Sequence, residues 1–160
     1  MAYSSNIVKT KRDGTVALLD GAATTYTADF QVGDFSFDVS KPELIVIRDR
    51  ATIVGARNGD DPTVSLSFTC HLRALHDAGN DSLLDFVEGQ LSGSLLTSSG
   101  GTGYEPFLCT VRYTIDATSL GDSKSYVATF SKVQIVASIA EGDPDSITIS
   151  GTCLGGVAFT

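Results

Sequence analysis

Apolar and polar residues alternate along three segments of the chain, which is the pattern of a β-strand with one buried face. The apolar positions are Val64, Leu66, Phe68, Cys70 and Leu72 in the first segment, Phe107, Cys109, Val111, Tyr113 and Ile115 in the second, and Ile147, Ile149, Gly151 and Cys153 in the third. Successive side chains of a strand point to opposite faces. We therefore expect a shared core lined by Phe68, Cys70, Val111, Tyr113, Ile147 and Ile149.

Shorter apolar runs predict further strands, separated by turns. These strands are expected at Ile7–Lys11, Thr15–Leu19, Thr24–Phe30, Phe35–Val39, Leu44–Arg48 and Tyr126–Ile139. Asp13-Gly14 is typical of a hairpin turn. Two acidic segments rich in Gly, Asp and Pro, at 58–62 and 141–145, predict turns that each lead into an alternating strand.

One segment departs from the period of two and predicts a short helix. Leu83, Leu84, Phe86 and Val87 have the spacing of a helical face, which we expect to pack onto the core or onto a neighbouring subunit. Asp81 is the expected N-cap, and Gly89 is the expected terminator. The following residues, 91–105, contain four glycines without a steady period and predict a loop.

Composition supports a β-rich fold. The chain has 18 Ser, 17 Thr, 13 Val and 9 Ile, and β-branched residues favour the pleated backbone. With 160 residues it has the size of one domain. The predicted fold class is mainly β, an antiparallel β-sandwich or barrel with one short flanking α-helix.

Charge and cysteine content argue against a nucleic-acid-binding protein, a disulfide-bonded protein and a zinc-ribbon protein. The net charge of -8 argues against a general phosphate-binding surface, so tight nucleic-acid binding is not expected. Three cysteines without a CxxC pair fit neither a disulfide framework nor a zinc ribbon, and they are predicted to be buried thiols in a reducing compartment. No Sec-type export segment is expected, because Lys9, Lys11 and Arg12 precede any apolar run.

Catalytic motifs are missing from the sequence. It has no GxSxG elbow, HExxH, Walker A loop or EF-hand loop, and Gly100-Gly101-Thr102-Gly103 lacks the Lys of a phosphate-binding loop. The acidic turns lack the alternating oxygen-ligand spacing of a calcium loop. We therefore predict a protein that is not an enzyme and has no cofactor and no metal.

The order of elements resembles the tail tube proteins of long-tailed bacteriophages, in particular the lambda-like group. The resemblance lies in PTVSLSFTCHL, DSLLDFVEGQ, FLCTVRYTI and SYVATFSKVQIVASIAEGDPDSITISGTCLG, and it covers about residues 62–156. These segments form an alternating strand, a short helix with Leu-Leu and an aromatic residue, a second strand, a strand of the form F-x-x-x-V and an acidic turn before the last Ser/Thr-rich strand. The first sixty residues show no such correspondence.

The resemblance implies a structural virion protein. Residues 1–160 would form one tail-tube-like domain, related in fold to the tubes of contractile tails and type VI secretion, with arm or hairpin extensions within residues 1–60. Six copies would form a ring, and stacked rings would form a tube around a tape-measure protein, with tail terminator and tail-tip proteins as further partners. DNA would pass through the lumen without specific binding. The expected location is the virion tail, assembled in the host bacterial cytoplasm.

Two sets of assembly residues follow from this expectation. A lumen that DNA crosses should be polar and on balance negative, because fixed positive charge would bind phosphates. The predicted lumen-facing residues are Ser65, Ser67, Thr69, Thr148, Ser150, Thr152, Asp38 and Asp116. Arg112 shares the phase of Thr110 and Thr114, and we expect it to pair with a carboxylate or to point away from the channel. The candidate hairpin tips for contacts between rings are Val32, Gly33 and Asp34, and Arg48, Asp49 and Arg50.

Two other classes remain open at this stage. A virion decoration or carbohydrate-binding β-sandwich would use exposed aromatic residues, yet the chain has no Trp and only five Tyr. A hydrolase would need a nucleophile beside a base, and no such pair is recognisable. The hydroxyl-rich strand faces could equally be solvated outer surface, and the candidate tips could be turns within one subunit.

Overall fold

The computed structural model describes residues 14–20, 25–28, 31–39, 43–59, 63–72, 82–88, 90–91, 94–95, 107–116 and 125–160. The elements in chain order are β1 (Gly14–Leu19), β2 (Thr25–Thr27), β3 (Ser36–Val39), β4 (Leu44–Asp49), β5 (Thr52–Asn58), β6 (Val64–His71), α1 (Leu83–Val87), β7 (Gln90–Leu91), β8 (Ser94–Leu95), β9 (Cys109–Asp116), β10 (Ser125–Ala140), β11 (Ser146–Cys153) and β12 (Val157–Phe159).

One antiparallel sheet organises the domain. Its strand order is β2-β1-β9-β10-β11-β6-β3, and β12 pairs with β10 off this path. Strands β4 and β5 form a separate two-stranded ribbon, as do β7 and β8. The predicted class, mainly β and antiparallel with one short helix among the described residues, is confirmed.

The longest strand, β10, keeps one face in the core by means of a bulge. Ala128 and Phe130 are buried before the bulge, and Val133 and Ile135 are buried after it. The spacing of three between Phe130 and Val133 breaks the period of two, and the register to β9 shifts at this point. Lys132 has a φ of 54°, a left-handed conformation that is uncommon for a residue with a Cβ. The extra residue lets both halves of the strand bury the same side of the sheet.

Strands β11 and β12 are joined beside this bulge. The N–H of Leu154 donates to the carbonyl oxygen of Lys132 over 3.0 Å, and the N–H of Gly155 donates to that of Ser131 over 2.9 Å. The Cys153 thiol donates to the carbonyl oxygens of Ser131 and Gly156 over 3.1 and 3.2 Å. The turn between β11 and β12 thus lies beside the bulge, and its N–H groups and the Cys153 thiol are hydrogen-bonded to carbonyl oxygens there.

The core lies on the concave side of a sheet that curls over itself. Phe35, just before β3, stacks on Tyr113 of β9 with ring centroids 4.3 Å apart, although β3 and β9 are not neighbours in the sheet. Phe37 of β3 packs edge-on against Phe130 of β10 at 5.2 Å. Contacts between strands so far apart in the sheet order are what a sandwich or partly closed barrel produces.

All three cysteines are buried free thiols, as the sequence predicted. Cys109 donates to the carbonyl oxygen of Val133 over 3.5 Å. Burial raises the pKa of the Cys109 thiol to about 12, because the thiolate would lose its hydration. The thiols therefore pack as small hydrophobic side chains, which fits the absence of catalytic motifs.

Helix α1 closes one end of the core, and its N-cap corrects the sequence prediction. The N-cap is Ser82 and not Asp81: the Asp85 N–H donates to Ser82 Oγ over 3.1 Å, and the Ser82 N–H donates to Asp85 Oδ2 over 2.9 Å. This reciprocal pair is a capping box, in which residue N3 carries the carboxylate. Asp81 itself lies outside the described residues.

Several predicted elements fall outside the described residues, and others were missed. The strand at Ile7–Lys11 and the hairpin at Asp13-Gly14 belong to the first group, apart from Gly14, which begins β1; most of the loop at 91–105 is also there. The strands β5, β7, β8 and β12 were not predicted. Of the strand expected at Thr24–Phe30, residues 25–28 are described, and Thr25–Thr27 form β2. No helix of the described part is long and apolar enough to cross a membrane.

Candidate assembly surfaces

The six hydroxyl residues predicted to face a lumen form three rows across β6 and β11. Cα partners in the register are Ser65 with Thr152, Ser67 with Ser150, and Thr69 with Thr148. The two Thr hydroxyls of the last row are 3.2 Å apart. Because their strand neighbours Leu66, Phe68 and Ile149 are buried, the six side chains share the face of the sheet opposite the core, here called the polar face.

Two flanking strands extend this polar face. Ser36 and Asp38 of β3 are Cα partners of Ser67 and Ser65, and Gln134 and Val136 of β10 are partners of Thr152 and Ser150. A shallow concavity of about 460 Å³ lies over these residues. Asp38 is exposed and adds a carboxylate to the hydroxyl rows. Val136, with 62% of its surface exposed, is the large apolar side chain on this face.

Asp116 does not lie with the six hydroxyl residues. It ends β9 opposite Ser125, at the start of β10, whereas the hydroxyl rows face the second half of β10. Arg112, on the same strand, is exposed, and its Cα partners are Ala17 and Thr129. The structure therefore groups Asp38 with the hydroxyl rows and separates Asp116 from them.

The core and helix residues predicted from the alternation have the following positions. Exposure is 1% for Phe68 and Ile147, 0% for Val111, Ile149 and Phe86, 2% for Cys70, 7% for Leu83 and 8% for Tyr113, while Leu84 and Val87 are half-buried. Phe86 contacts Tyr26 and Phe107, with ring centroids 6.2 and 5.6 Å apart. The helix thus packs onto the core of its own subunit.

An exposed ribbon, here called the arm, is formed by β4 and β5. Every residue of these strands except Gly55 is exposed. Six of them are large and apolar: Leu44 (61% exposed), Ile45 (37%), Val46 (39%), Ile47 (47%), Ile53 (59%) and Val54 (61%). Neighbouring residues of a strand point to opposite sides, so both faces of the arm carry branched apolar side chains.

The tip of the arm contains one of the two predicted hairpin tips. Arg48 and Asp49 end β4, and Arg50 and Ala51 form the turn with φ values of 46° and 72°. Two consecutive positive φ values define a type I′ turn, which suits the twist of a two-stranded hairpin. The contact of Arg48, Asp49 and Arg50 with another ring stays a prediction.

The other predicted tip, Val32-Gly33-Asp34, is corrected by the structure, because this segment lies along β6. The Val32 N–H donates to the carbonyl oxygen of Thr69, and the Thr69 N–H donates to Asp34 Oδ1. Gln31 forms an isolated bridge with Cys70. These bonds hold the segment beside β6 of its own subunit, so it is not the tip of a hairpin, and its contact with another ring stays a prediction.

The described residues contain no group of three or more His, Cys, Asp or Glu side chains that could hold a metal ion. The features that stand out are instead surfaces: the polar face and the apolar arm. The polar face extends across β3, β6, β11 and β10, and the arm consists of β4 and β5. The signal in the sequence for the arm was the unbroken apolar run Leu44–Ile47, which has no alternation to place it on one face.

Known structures of similar fold come from contractile injection systems. A chain of the sheath–tube complex of the extracellular contractile injection system PVC in its extended state matches with a TM-score of 0.62 and 11% identity, over 98% of this chain and 93% of that one. A chain of the PVC sheath/tube terminator matches with a TM-score of 0.62 and 11% identity, over 98% and 99%. A chain of the baseplate of the anti-feeding prophage matches with a TM-score of 0.56 and 12% identity, over 98% and 97%.

No protein-family model and no curated protein sequence matches the chain. At 11–12% identity the structural matches establish the fold and nothing finer. The chain has a tail-tube-like fold, and the match to the sheath–tube chain covers 98% of its length. The neighbours belong to contractile systems, whereas the sequence resemblance was to lambda-like tails.

Proposed function

We propose that this protein is the structural subunit of a phage tail tube, in which six copies form a ring and the rings stack into a conduit for DNA ejection. The observation that carries the proposal is the exposed apolar arm on a domain whose fold matches contractile injection system components over 98% of the chain. The fold supports a structural role in a tail, and the exposed arm supports assembly with another copy.

The arm supports assembly because it is unfavourable in an isolated subunit. An isolated two-stranded hairpin is marginally stable in water, and this one exposes branched apolar side chains on both faces. Contiguous exposed apolar surface of this kind marks an interaction site. Fully burying a Val, Leu or Ile side chain contributes about 1.5–3 kcal/mol, so covering even part of the arm would stabilise stacked rings substantially.

Sheet edges give a second reason for assembly. Strands β2 and β3 end the strand order of the described sheet, and each has one side without a strand partner in that order. Unpaired edges are templates for pairing with another chain, and closing a barrel between subunits removes them. A sixfold ring in which subunits contribute strands to one inner barrel satisfies both edges.

The polar face is the proposed lumen wall. Its hydroxyl residues and Asp38 offer water-like contacts and no positive charge to a passing phosphate backbone. Six chains with a net charge of -8 each give a ring total of about -48, so a negative interior is readily built. The proposed partners, by the resemblance to tail tubes, are the tape-measure, tail terminator and tail-tip proteins, in a virion tail assembled in the host cytoplasm.

Ring formation is tested by negative-stain electron microscopy and mass photometry of the purified protein over a series of protein and salt concentrations. We expect hexamers and tubes with a central channel. A protein that stays monomeric under every condition, with no tubes in cells that express it, would overturn the proposal. A monomer that binds glycans would instead support the carbohydrate-binding alternative.

The lumen assignment is tested with an introduced cysteine, which is site-specific because the three native thiols are buried. In assembled tubes, Ser150→Cys should react with a small maleimide and be protected from a maleimide carrying a 5-kDa polymer. The matched control is Glu88→Cys at the exposed end of α1, on the opposite side of the sheet, which should react with both reagents. Equal polymer labelling of the two variants would place Ser150 on the outside of the tube.

A further inference from the structure

Charge is distributed unevenly between the two ends of the central sheet. The arm and its root, residues 43–59, contain three arginines, two of them at the tip, against two carboxylates. Residues 133–160 contain three carboxylates and no Lys or Arg. All three, Glu141, Asp143 and Asp145, lie in the exposed turn between β10 and β11.

The register places the arm root and the acidic turn at opposite ends of the strands. Val39, which ends β3 before the arm, is the Cα partner of Val64, which begins β6 after it, and Val64 pairs with Cys153. The arm therefore leaves from this end, here called the arm pole. At the other end, the turn pole, Ala140 pairs with Ser146 and Ser146 pairs with His71. Eight residues of β6 separate the poles, about 25 Å.

The turn pole also has apolar surface to offer. Ile139, the second-last residue of β10, is 46% exposed, and Val32, held beside Thr69 near the end of β6, is 49% exposed. The acidic turn next to them is ordered by its own contacts, since the Gly142 N–H donates to Asp145 Oδ1 over 2.8 Å. The arm has a basic tip and apolar strands, and the turn pole has an acidic turn and apolar neighbours. The two surfaces are therefore complementary in charge.

We propose that the arm of one copy docks head to tail on the turn pole of a second copy, with Arg48 and Arg50 facing Glu141 and Asp143. This inference rests on the proposed tube function and names the receiving surface for the arm. A contact between two different poles is heterologous, and because these poles lie at opposite ends of the strands, repeating it adds subunits along one axis. Charge complementarity fixes the polarity of stacking, because arm-to-arm and turn-to-turn approaches bring like charges together.

A charge-swap experiment tests the pairing. Variant R48E/R50E and variant E141K/D143K are each expected to form rings with the wild-type melting temperature and to lose tubes, because each brings like charges together at every junction. Mixed in equal amounts they should form tubes again, since Glu arms meet Lys turns and unchanged arms meet unchanged turns. The quadruple variant, which has the wild-type net charge, should also form tubes. Ring and tube fractions are counted by electron microscopy and sedimentation.

Two further variants control the experiment. R57E changes the charge of the arm at its root, beside Ile45, and should stack like the wild type. E141Q/D143N removes the negative charge with little change in shape and should reduce the tube fraction at least threefold without abolishing rings. Rings of R48E/R50E that stack like the wild type, or single variants that fail to stack and do not complement when mixed, would overturn the inference and leave the tube proposal intact. Absence of wild-type rings would overturn the tube proposal itself.

Discussion

Single residues set the local geometry of the sheet in this protein. Gly151 lies on the buried face of β11, where a Cβ would come within 2.8 Å of Val133 Cγ1 and 3.0 Å of Leu66 Cδ1. In the sequence, Gly151 takes an apolar place in the alternation between Ile149 and Cys153. The structure explains why that place holds no side chain: the facing residues Leu66 and Val133 already fill it.

We expect Gly151→Ala to lower the free energy of unfolding by about 1–3 kcal/mol, because the added methyl overpacks a filled core position. Chemical denaturation followed by far-UV circular dichroism measures the change. Gly55→Ala is the matched control, since a Cβ at Gly55 meets nothing within 4 Å, and it should leave the stability of the domain unchanged. Equal stability of the two variants would contradict the close packing described for Gly151.

The Cys109 thiol predicts a pH dependence. Its pKa is raised by burial from 9.0 to about 12 in the folded state, so above pH 9 the unfolded chain loses a proton that the folded chain retains. Stability from this group is present below pH 9 and is lost as the pH rises towards 12, by up to about 1.4 kcal/mol per pH unit. Cys109→Ala should flatten the fall in unfolding free energy measured between pH 9 and 10.5. Parallel curves for the two proteins would show that Cys109 ionises equally in both states.

At the scale of elements, helix α1 is stabilised mainly by the burial of the Phe86 side chain and only weakly by its own backbone hydrogen bonds. A five-residue helix is too short to be stable alone. Its capping box pairs backbone donors at the first turn, and Phe86 is fully buried between Tyr26 and Phe107. The helix therefore exists because Phe86 completes the core, as the spacing of its apolar residues predicted.

Phe86→Ala should destabilise the domain by about 3–5 kcal/mol, through lost transfer free energy and the cavity left behind. Thermal unfolding of the subunit below its assembly concentration gives the value. Glu88→Ala, at the exposed end of the same helix, serves as the control and should stay within about 0.5 kcal/mol of the wild type. A wild-type melting temperature for Phe86→Ala would mean that α1 does not pack on the core.

The sequence predicted most clearly the strands that alternate along their whole length, and it missed β5, β7, β8 and β12. Strands β6, β9 and β11 alternate cleanly because one face is buried along their length. In β10 the bulge at Lys132 shifts the buried positions by one residue, from Ala128 and Phe130 to Val133 and Ile135. A strict alternation of two cannot predict where such a bulge lies. Strand β5 is exposed on both faces, so its residues carry no pattern of burial, and β12 has only three residues.

The candidate assembly residues could likewise be predicted from the sequence only in part. Alternation put the hydroxyl residues of β6 and β11 on one face, and the register confirms that they are partners. Asp116 continues the alternation of Thr114, but alternation along one strand does not say which strands are neighbours in the sheet. The segment Val32–Asp34 has the composition of a turn, while its bonds to Thr69 depend on a strand thirty-five residues away.

At the scale of the whole molecule, the chain divides into a folded body and an appended arm. The buried core is drawn from β1, β6, β9, β10 and β11 together with Ala28, Phe35 and α1, and no arm residue belongs to it. The arm is closed at its root by the Gly59 N–H donating to the carbonyl oxygen of Glu43 over 2.7 Å. Its exposed apolar faces contribute little to the stability of one subunit and are available to another.

Replacing residues 44–58 by a short Gly-Ser linker should therefore separate folding from stacking. Because the removed residues bury almost nothing within the subunit, we expect the unfolding free energy to change by less than about 1 kcal/mol, and rings to persist while tubes disappear. Denaturation of the monomer and electron microscopy of the assembled protein measure the two effects separately.

A full-length arm with Leu44, Val46 and Ile53 changed to Thr is the control for chain length. It keeps the ribbon but removes the apolar surface of one face, and it should likewise reduce stacking. Loss of folding in the linker variant would mean that the arm is part of the domain's own core, and normal tubes would mean that rings are joined through another surface.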